Sequence, residues 1–207
     1  MFARPSSFAT TVLGFSLFAT TSALSVARQS NVDSCSVFPG TGSLNVLNFT
    51  LAALNTTQPN SNTTGAPIIL GSAGAIDGAS FYDLKTQATY QYPSAVPALN
   101  MTNGGLTSGQ YVVGGTVPSN ANPGFIATSL NTPAPAEIYC SVVTDGYDYP
   151  LLAVNGHTDL FSICREYPCE DTPWEGVYYN ATEGTSSCGG PASCYPVVLS
   201  IVTAGLD

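Results

Sequence analysis

The residues best suited to chemistry are carboxylates in the last third of the chain. A pair of acids about 5 to 9 Å apart across a sugar ring can hydrolyse a glycosidic bond. Many pairs are available and none stands out, so no catalytic residue is assigned. The simpler interpretation is a solvated acidic face. The acids in question are Asp145, Asp148, Asp159, Glu166, Glu170, Asp171 and Glu175.

Aromatic residues beside these acids predict a ligand surface. Aromatic faces bind the C–H groups of sugars, and neighbouring polar groups accept or donate to the hydroxyls. The alternative is that the tyrosines are ordinary strand residues. The candidate ligand patch consists of Trp174, Tyr147, Tyr149, Asp145 and Asp148.

Other catalytic centres have little support in the sequence. His157 is the sole histidine, so any Ser-His-Asp triad would have to use it. It follows the turn-forming pair Asn155-Gly156 and is expected to be an exposed hairpin residue. With one histidine, and with cysteines expected in disulfides, we expect neither a metal site nor a cofactor.

The cysteines and the glycosylation sequons both predict export. The six cysteines favour disulfides if the chain is secreted: Cys35, Cys140, Cys164, Cys169, Cys188 and Cys194. Cys35 is expected to tie the mature N-terminus to the body. Cys164 and Cys169 are close enough for a small loop, as are Cys188 and Cys194, but the spacing leaves the pairing open. Asn-x-Thr sequons stand at Asn48, Asn55, Asn62, Asn100 and Asn180.

The first segment predicts a secretory signal peptide over residues 1–27. Arg4 precedes a short apolar run, and small residues follow that run. Residues 28–207 then form one secreted domain, with no later stretch long enough to span a membrane. The net charge of −9 excludes a nucleic-acid partner, because such a partner requires a basic surface.

Composition predicts the fold class. Charged residues make up 8% of the chain and hydrophobic residues 44%, a balance that favours a folded domain over disorder. Short runs rich in Val, Ile, Thr and Tyr alternate with Gly, Pro and Asn, as in strands and turns. Asn103-Gly104-Gly105 predicts a turn, and alternation at Thr89–Tyr92 predicts a strand. We expect an all-β, single-domain antiparallel β-sandwich stabilised by disulfides, with a β-trefoil as the alternative.

Four segments resemble small secreted proteins of filamentous fungi, including cell-wall proteins of spore-forming cells. They read F-T-L-A-A-L, A-P-I-I-L-G, P-L-L-A-V-N-G-H-T-D-L-F-S-I-C and S-C-Y-P-V-V-L-S-I-V. The resemblance implies a fungal source and a wall or extracellular setting, and it carries over no catalytic residue. The expected function is a non-enzymatic glycoprotein that binds cell-wall polysaccharide or another glycan. The alternatives are a glycan-active hydrolase with paired carboxylates and an effector that binds a host protein; the oligomeric state is left open.

Overall fold

Every regular element of the described chain is a β-strand. The computed structural model describes residues 34–92, 98–110, 112–166, 173–182 and 194–203, so the predicted signal peptide lies outside the described residues. The chain divides into two compact units, Met1–Ser30 and Asn31–Asp207, and all described residues belong to the second unit. Within them, no helix is long and apolar enough to cross a membrane. The strands are β1 (Gly42–Ser43), β2 (Val46–Asn55), β3 (Ala66–Ile76), β4 (Ala79–Thr86), β5 (Leu99–Thr102), β6 (Gly105–Ser108), β7 (Val112–Gly114), β8 (Gly124–Thr128), β9 (Tyr139–Val142), β10 (Leu151–Val154), β11 (Phe161–Arg165), β12 (Glu175–Tyr179) and β13 (Cys194–Thr203).

These strands form a closed antiparallel barrel. Nine of them are joined in the ring β2–β5–β6–β7–β8–β4–β12–β11–β13, and β13 pairs again with β2. β3 pairs with both β2 and β4, whereas β10, β9 and β1 extend the sheet from β13.

The all-β, antiparallel and disulfide-bonded parts of the prediction are confirmed, but the predicted sandwich is not found. The long strands explain the difference. β2 pairs with β13 along one edge and with β3 and β5 along the other. β4 pairs with β3 along one edge and with β8 and β12 along the other. With both edges occupied, the sheet closes on itself instead of separating into two layers.

The main hydrophobic core is built from alternate residues of these strands. In β13, Val197, Leu199 and Ile201 belong to this core, because side chains one residue apart point to opposite faces of a strand. Val198 points the other way and packs with Leu54 and Leu151 in a separate cluster. Since β13 is covered on both faces, its sequence is almost continuously apolar.

Two Asn-Gly turns form as predicted, but only the first joins paired strands: β10 and β11, on either side of Asn155-Gly156, pair with other strands and not with each other, so the predicted hairpin there is wrong. Asn103 and Gly104 have φ values of 51° and 76°, and they connect β5 to β6. Asn155 and Gly156 have φ values of 51° and 81°, and Val154 exchanges backbone hydrogen bonds with His157 across them. Positive φ at two successive residues is the requirement that favours Asn-Gly in tight hairpins.

The disulfides join distant parts of the chain. Cys35 bonds to Cys140 on β9, with a Cα–Cα distance of 5.3 Å, so the predicted attachment of the Cys35 segment to the body is confirmed. Cys164 bonds to Cys194, which lies directly opposite it in the β11–β13 pairing. The small loops Cys164–Cys169 and Cys188–Cys194, which the spacing had allowed, are therefore not formed. Cys169 and Cys188 themselves lie outside the described residues.

Removing either disulfide is expected to lower the unfolding free energy of the barrel, and the loss should be larger for the disulfide that closes the longer loop. The sequence separations are 105 residues for Cys35–Cys140 and 30 for Cys164–Cys194. From the entropy of loop closure, double Cys→Ala variants should lose about 5 and about 3.5 kcal/mol, respectively, of unfolding free energy. Urea denaturation measures both losses. A larger loss from the shorter loop would contradict this account.

Candidate functional site

One face of strands β4 and β12 carries the main group of interacting polar side chains. Leu84 of β4 points into the main core, so its neighbours Asp83 and Lys85 point to the opposite, outer face. On β12, Val177 belongs to the core and Tyr178 shares the outer face with Lys85. Strand β12 lies between β4 and β11, so it brings the end of β11 near β4.

A buried ion pair forms on this outer face. Lys85 Nζ contacts Glu166 Oε2, and the two side chains are only 5% and 11% exposed. Asn122 Nδ2 donates to Glu166 Oε1 at 2.9 Å, and the Tyr178 side chain interacts electrostatically with the Glu166 carboxylate. Both oxygens of Glu166 therefore contact protein groups. We call Asp83, Lys85, Asn122, Glu166 and Tyr178 the ionic cluster.

Glycines on the neighbouring strands make space for this pair. A Cβ at Gly176 of β12 would lie 2.1 Å from Glu166 Oε1 and 2.8 Å from Asn122 Nδ2. A Cβ at Gly71 of β3 would lie 2.5 Å from Lys85 Cδ. Any side chain at either position would displace the charged groups, so glycine is required here by close approach.

The ionic cluster holds two carboxyl groups for one lysine. Burial raises the pKa of Asp83 above its ordinary value of 3.8; Lys85 opposes that shift and Glu166 adds to it. Burial also raises the pKa of Tyr178, and the adjacent Glu166 carboxylate raises it further. The Tyr178 hydroxyl is therefore protonated at neutral pH and is available as a hydrogen-bond donor.

Three aromatic rings lie beside the ionic cluster. The Trp174 ring centroid is 5.7 Å from that of Tyr90 and 5.5 Å from that of Tyr92, and the two tyrosine centroids are 5.6 Å apart. Lys85 Nζ lies 5.7 Å from the Trp174 ring centroid, within the range of a cation–π contact. Tyr92 is 57% exposed, and the other two rings are partly exposed. We call Tyr90, Tyr92 and Trp174 the aromatic triad.

Hydrogen bonds from both sides fix the aromatic triad. The backbone N–H of Ser72 donates to the Tyr90 hydroxyl at 2.9 Å, and the Glu166 N–H donates to the Trp174 carbonyl at 2.7 Å. The Glu175 N–H donates to Thr89 Oγ1 at 3.0 Å, which ties the segment after β4 to β12. The predicted strand at Thr89–Tyr92 is absent, because β4 ends at Thr86 and a turn follows.

The predicted ligand patch is divided in the structure. Trp174 packs with Tyr90 and Tyr92 in the aromatic triad. Tyr147 and Asp148 instead line a cleft of about 580 Å³. Asp145 is exposed in the same β9–β10 loop, and Tyr149 is half-buried there. This cleft is also lined by the sequon residues Asn55 and Asn62. We call it the sequon cleft.

The remaining predicted residues lie at the surface or outside the described residues. Asn48, Asn62 and Asn180 are exposed, and Asn55 and Asn100 are half-buried. The His157 side chain is 54% exposed, as predicted, with Nδ1 3.8 Å from Asp159 Oδ1. Glu170 and Asp171 lie outside the described residues. Within the described ranges, no group of three or more His, Cys, Asp or Glu residues could hold a metal ion.

The sequence indicated only part of this site. Trp174 and Glu166 were among the candidates, but Asp83, Lys85, Asn122, Tyr90 and Tyr92 were not. One available signal was Lys85, since the chain has only four lysines and arginines in total. A rare charge within an apolar strand indicates a buried partner.

No protein-family model, curated protein or solved structure matches this chain. The resemblance to fungal wall proteins therefore stays a prediction.

Replacing Gly176 by alanine should destabilise the protein. The new Cβ would overlap the Glu166 carboxylate, and the expected loss is about 2 kcal/mol of unfolding free energy. Gly115→Ala is the matched control, because the nearest atom to its Cβ is 3.6 Å away; it should change stability by less than about 0.5 kcal/mol. Urea denaturation compares the two, and equal losses would show that Gly176 has no special steric role.

Asp83 should make stability depend on pH. Its raised pKa means that the folded protein binds this proton more tightly than the unfolded chain, so the stabilisation is full below the ordinary value of 3.8 and is lost as the pH rises through the folded pKa. The stability of the wild type relative to Asp83→Asn should therefore fall as the pH rises from the ordinary value of 3.8 through the folded pKa. Asp77→Asn, an exposed change in the same hairpin, should follow the wild type. If the stability of the wild type relative to Asp83→Asn rose with pH instead, the prediction would be wrong.

Proposed function

We propose that this protein is a secreted or wall-associated glycoprotein that binds uncharged polysaccharide through the aromatic triad. The observation that carries the proposal is the arrangement of Tyr90, Tyr92 and Trp174. Their centroids lie 5.5–5.7 Å from one another, and Tyr92 remains 57% exposed. Partly exposed rings held in one place offer apolar faces to the C–H groups of a sugar.

Rigidity supports binding at this surface. The Tyr90 hydroxyl accepts from the Ser72 N–H, and the Trp174 backbone carbonyl accepts from the Glu166 N–H, so contacts within the protein hold the Tyr90 ring and the Trp174 backbone. A pre-ordered surface loses little conformational entropy on binding. Polar groups of the adjoining segments, such as Thr89 and Glu175, could then hydrogen-bond to sugar hydroxyls at the edge of the triad.

Charge favours an uncharged polymer. The net charge of −9 disfavours acidic polysaccharides, and only 8% of residues are charged. The disulfides Cys35–Cys140 and Cys164–Cys194 support an oxidising, extracellular compartment, where such polymers occur. Glycans at the exposed sequons Asn48, Asn62 and Asn180 belong to the same proposal.

Binding has more support than hydrolysis. Glu166 is the most buried of the described late acids, and its two oxygens contact Lys85 and Asn122. A general acid must come within hydrogen-bond reach of the glycosidic oxygen, and this carboxylate is covered by protein instead. Glu175 Oε2 accepts from Thr86 Oγ1 at 3.4 Å. For the effector alternative, no separate surface among the described residues points to a host protein as the partner.

Polysaccharide retention tests the proposal. Purified protein is mixed with insoluble chitin, β-glucan or mannan, and the bound fraction is measured as a function of polymer concentration. Retention of the wild type on at least one polymer is expected, and Tyr92→Ala should weaken it roughly tenfold. That factor corresponds to about 1.4 kcal/mol, the scale of one aromatic contact.

Tyr147→Ala is the matched control, since Tyr147 is 37% exposed and lines the sequon cleft instead. It should bind like the wild type. No retention on any polymer, or equal losses in both variants, would overturn the proposal. Release of soluble sugar during the assay would favour the hydrolase alternative over simple binding.

A further inference from the structure

The ionic cluster contains a buried amine in contact with a buried carboxyl group. Lys85 Nζ touches Glu166 Oε2, and their side chains are 5% and 11% exposed. The two residues are 81 positions apart in sequence and meet across strand β12, over Gly176. Polysaccharide binding at the aromatic triad makes no use of this contact.

We propose that Lys85 and Glu166 condense to form an intramolecular amide crosslink. The Lys85 amine attacks the Glu166 carboxyl carbon, a new Nζ–Cδ bond forms, and the Cδ–Oε2 bond breaks. Two hydrogens from the amine nitrogen leave with Oε2 as one molecule of water. No oxidant, metal or external acyl donor is needed, because the reaction is a simple loss of water.

The ionic cluster contains the proton donors and acceptors that this step needs. Proton transfer within the ion pair gives a neutral amine and a carboxylic acid, the two forms that react. Asp83 stands two residues before Lys85 on β4, on the same outer face, and interacts electrostatically with both partners; in this proposal its carboxyl group accepts the proton that leaves the attacking amine and returns it to the departing oxygen.

Hydrogen-bond donors face the position where negative charge would develop. Asn122 Nδ2 donates to Glu166 Oε1 at 2.9 Å, the oxygen that remains in the amide. The Tyr178 hydroxyl is a second protonated group that interacts with the Glu166 carboxylate. Fixed donors at such an oxygen stabilise a tetrahedral intermediate.

Proximity and shielding favour the forward reaction. Two reacting groups held in contact behave as if present at very high concentration, which replaces the need for an activated acyl donor. Burial under the Trp174 segment keeps bulk water away, and bulk water would otherwise drive the equilibrium back to acid and amine. The Trp174 ring, 5.7 Å from Lys85 Nζ, forms part of that cover.

Intact-mass measurement tests the crosslink directly. The wild type and Lys85→Arg are expressed in the same eukaryotic host, reduced, deglycosylated and weighed. Arginine keeps the positive charge but does not form the amide. The mass difference between the two proteins should exceed the Lys-to-Arg residue difference by one water molecule. Peptide mapping should then recover Lys85 and Glu166 in one branched peptide, with no tryptic cleavage after Lys85.

Variants of Asp83 separate proton transfer from a structural role. Asp83→Asn should fold and retain the mass of the uncrosslinked chain, and Asp83→Glu should restore at least part of the crosslinking. Asp77→Asn changes an exposed aspartate of the same hairpin and should crosslink like the wild type.

The wild-type result decides the matter even if a variant fails to fold. A folded wild type at the full uncrosslinked mass, with Lys85 in a linear peptide, would overturn the proposal. This outcome leaves polysaccharide binding untouched, because the aromatic triad does not require the amide. Conversely, a crosslinked protein that binds no polysaccharide would refute only the proposed function.

Discussion

The contact between Lys85 and Glu166 is the interaction on which the outer face of the barrel depends. A charge removed from water is costly unless a partner and further hydrogen bonds compensate for it, so neither residue could be buried alone. The pair has that compensation from the hydrogen bond that Asn122 donates to Glu166. Its position requires a glycine on β12, where any side chain would meet the carboxylate. The sequence of three separate strands is therefore constrained by one contact.

The same contact connects the polar and the aromatic parts of the site. Glu166 carries the carboxylate that meets Lys85, and its backbone N–H holds the carbonyl of Trp174. Lys85 in turn faces the Trp174 ring. Lys85 therefore contacts the indole ring, and Glu166 holds the backbone of the same residue.

What the sequence could predict was local, and what it could not predict was the pairing of distant segments. Alternation and Asn-Gly turns depend on neighbouring residues, so the all-β fold and the turn at Asn155-Gly156 were predictable. The predicted hairpin was not found, because β10 and β11 pair with other strands. Closure of the barrel depends on which strands share the edges of β2 and β4. Likewise Trp174 could be identified as a candidate, but its partners Tyr90 and Lys85 come from the other half of the chain. Cys164 pairs with Cys194 across a strand register that spacing alone does not encode.

The placement of the few charges links the fold to the proposed function. Only 8% of the residues are charged, and Lys85 and Arg165 are the basic residues of the described ranges. Lys85 is used within the structure, so the surface relies on Ser, Thr, Asn and Tyr for its polarity. Such a surface presents hydroxyls, amides and aromatic faces, the groups that complement an uncharged sugar polymer.

Covalent links within the chain suit the proposed extracellular location, because a protein outside the cell is not refolded by intracellular chaperones. The two disulfides already join distant strands, and an amide between Lys85 and Glu166 would join β4 to the end of β11 in a form that reducing agents do not break.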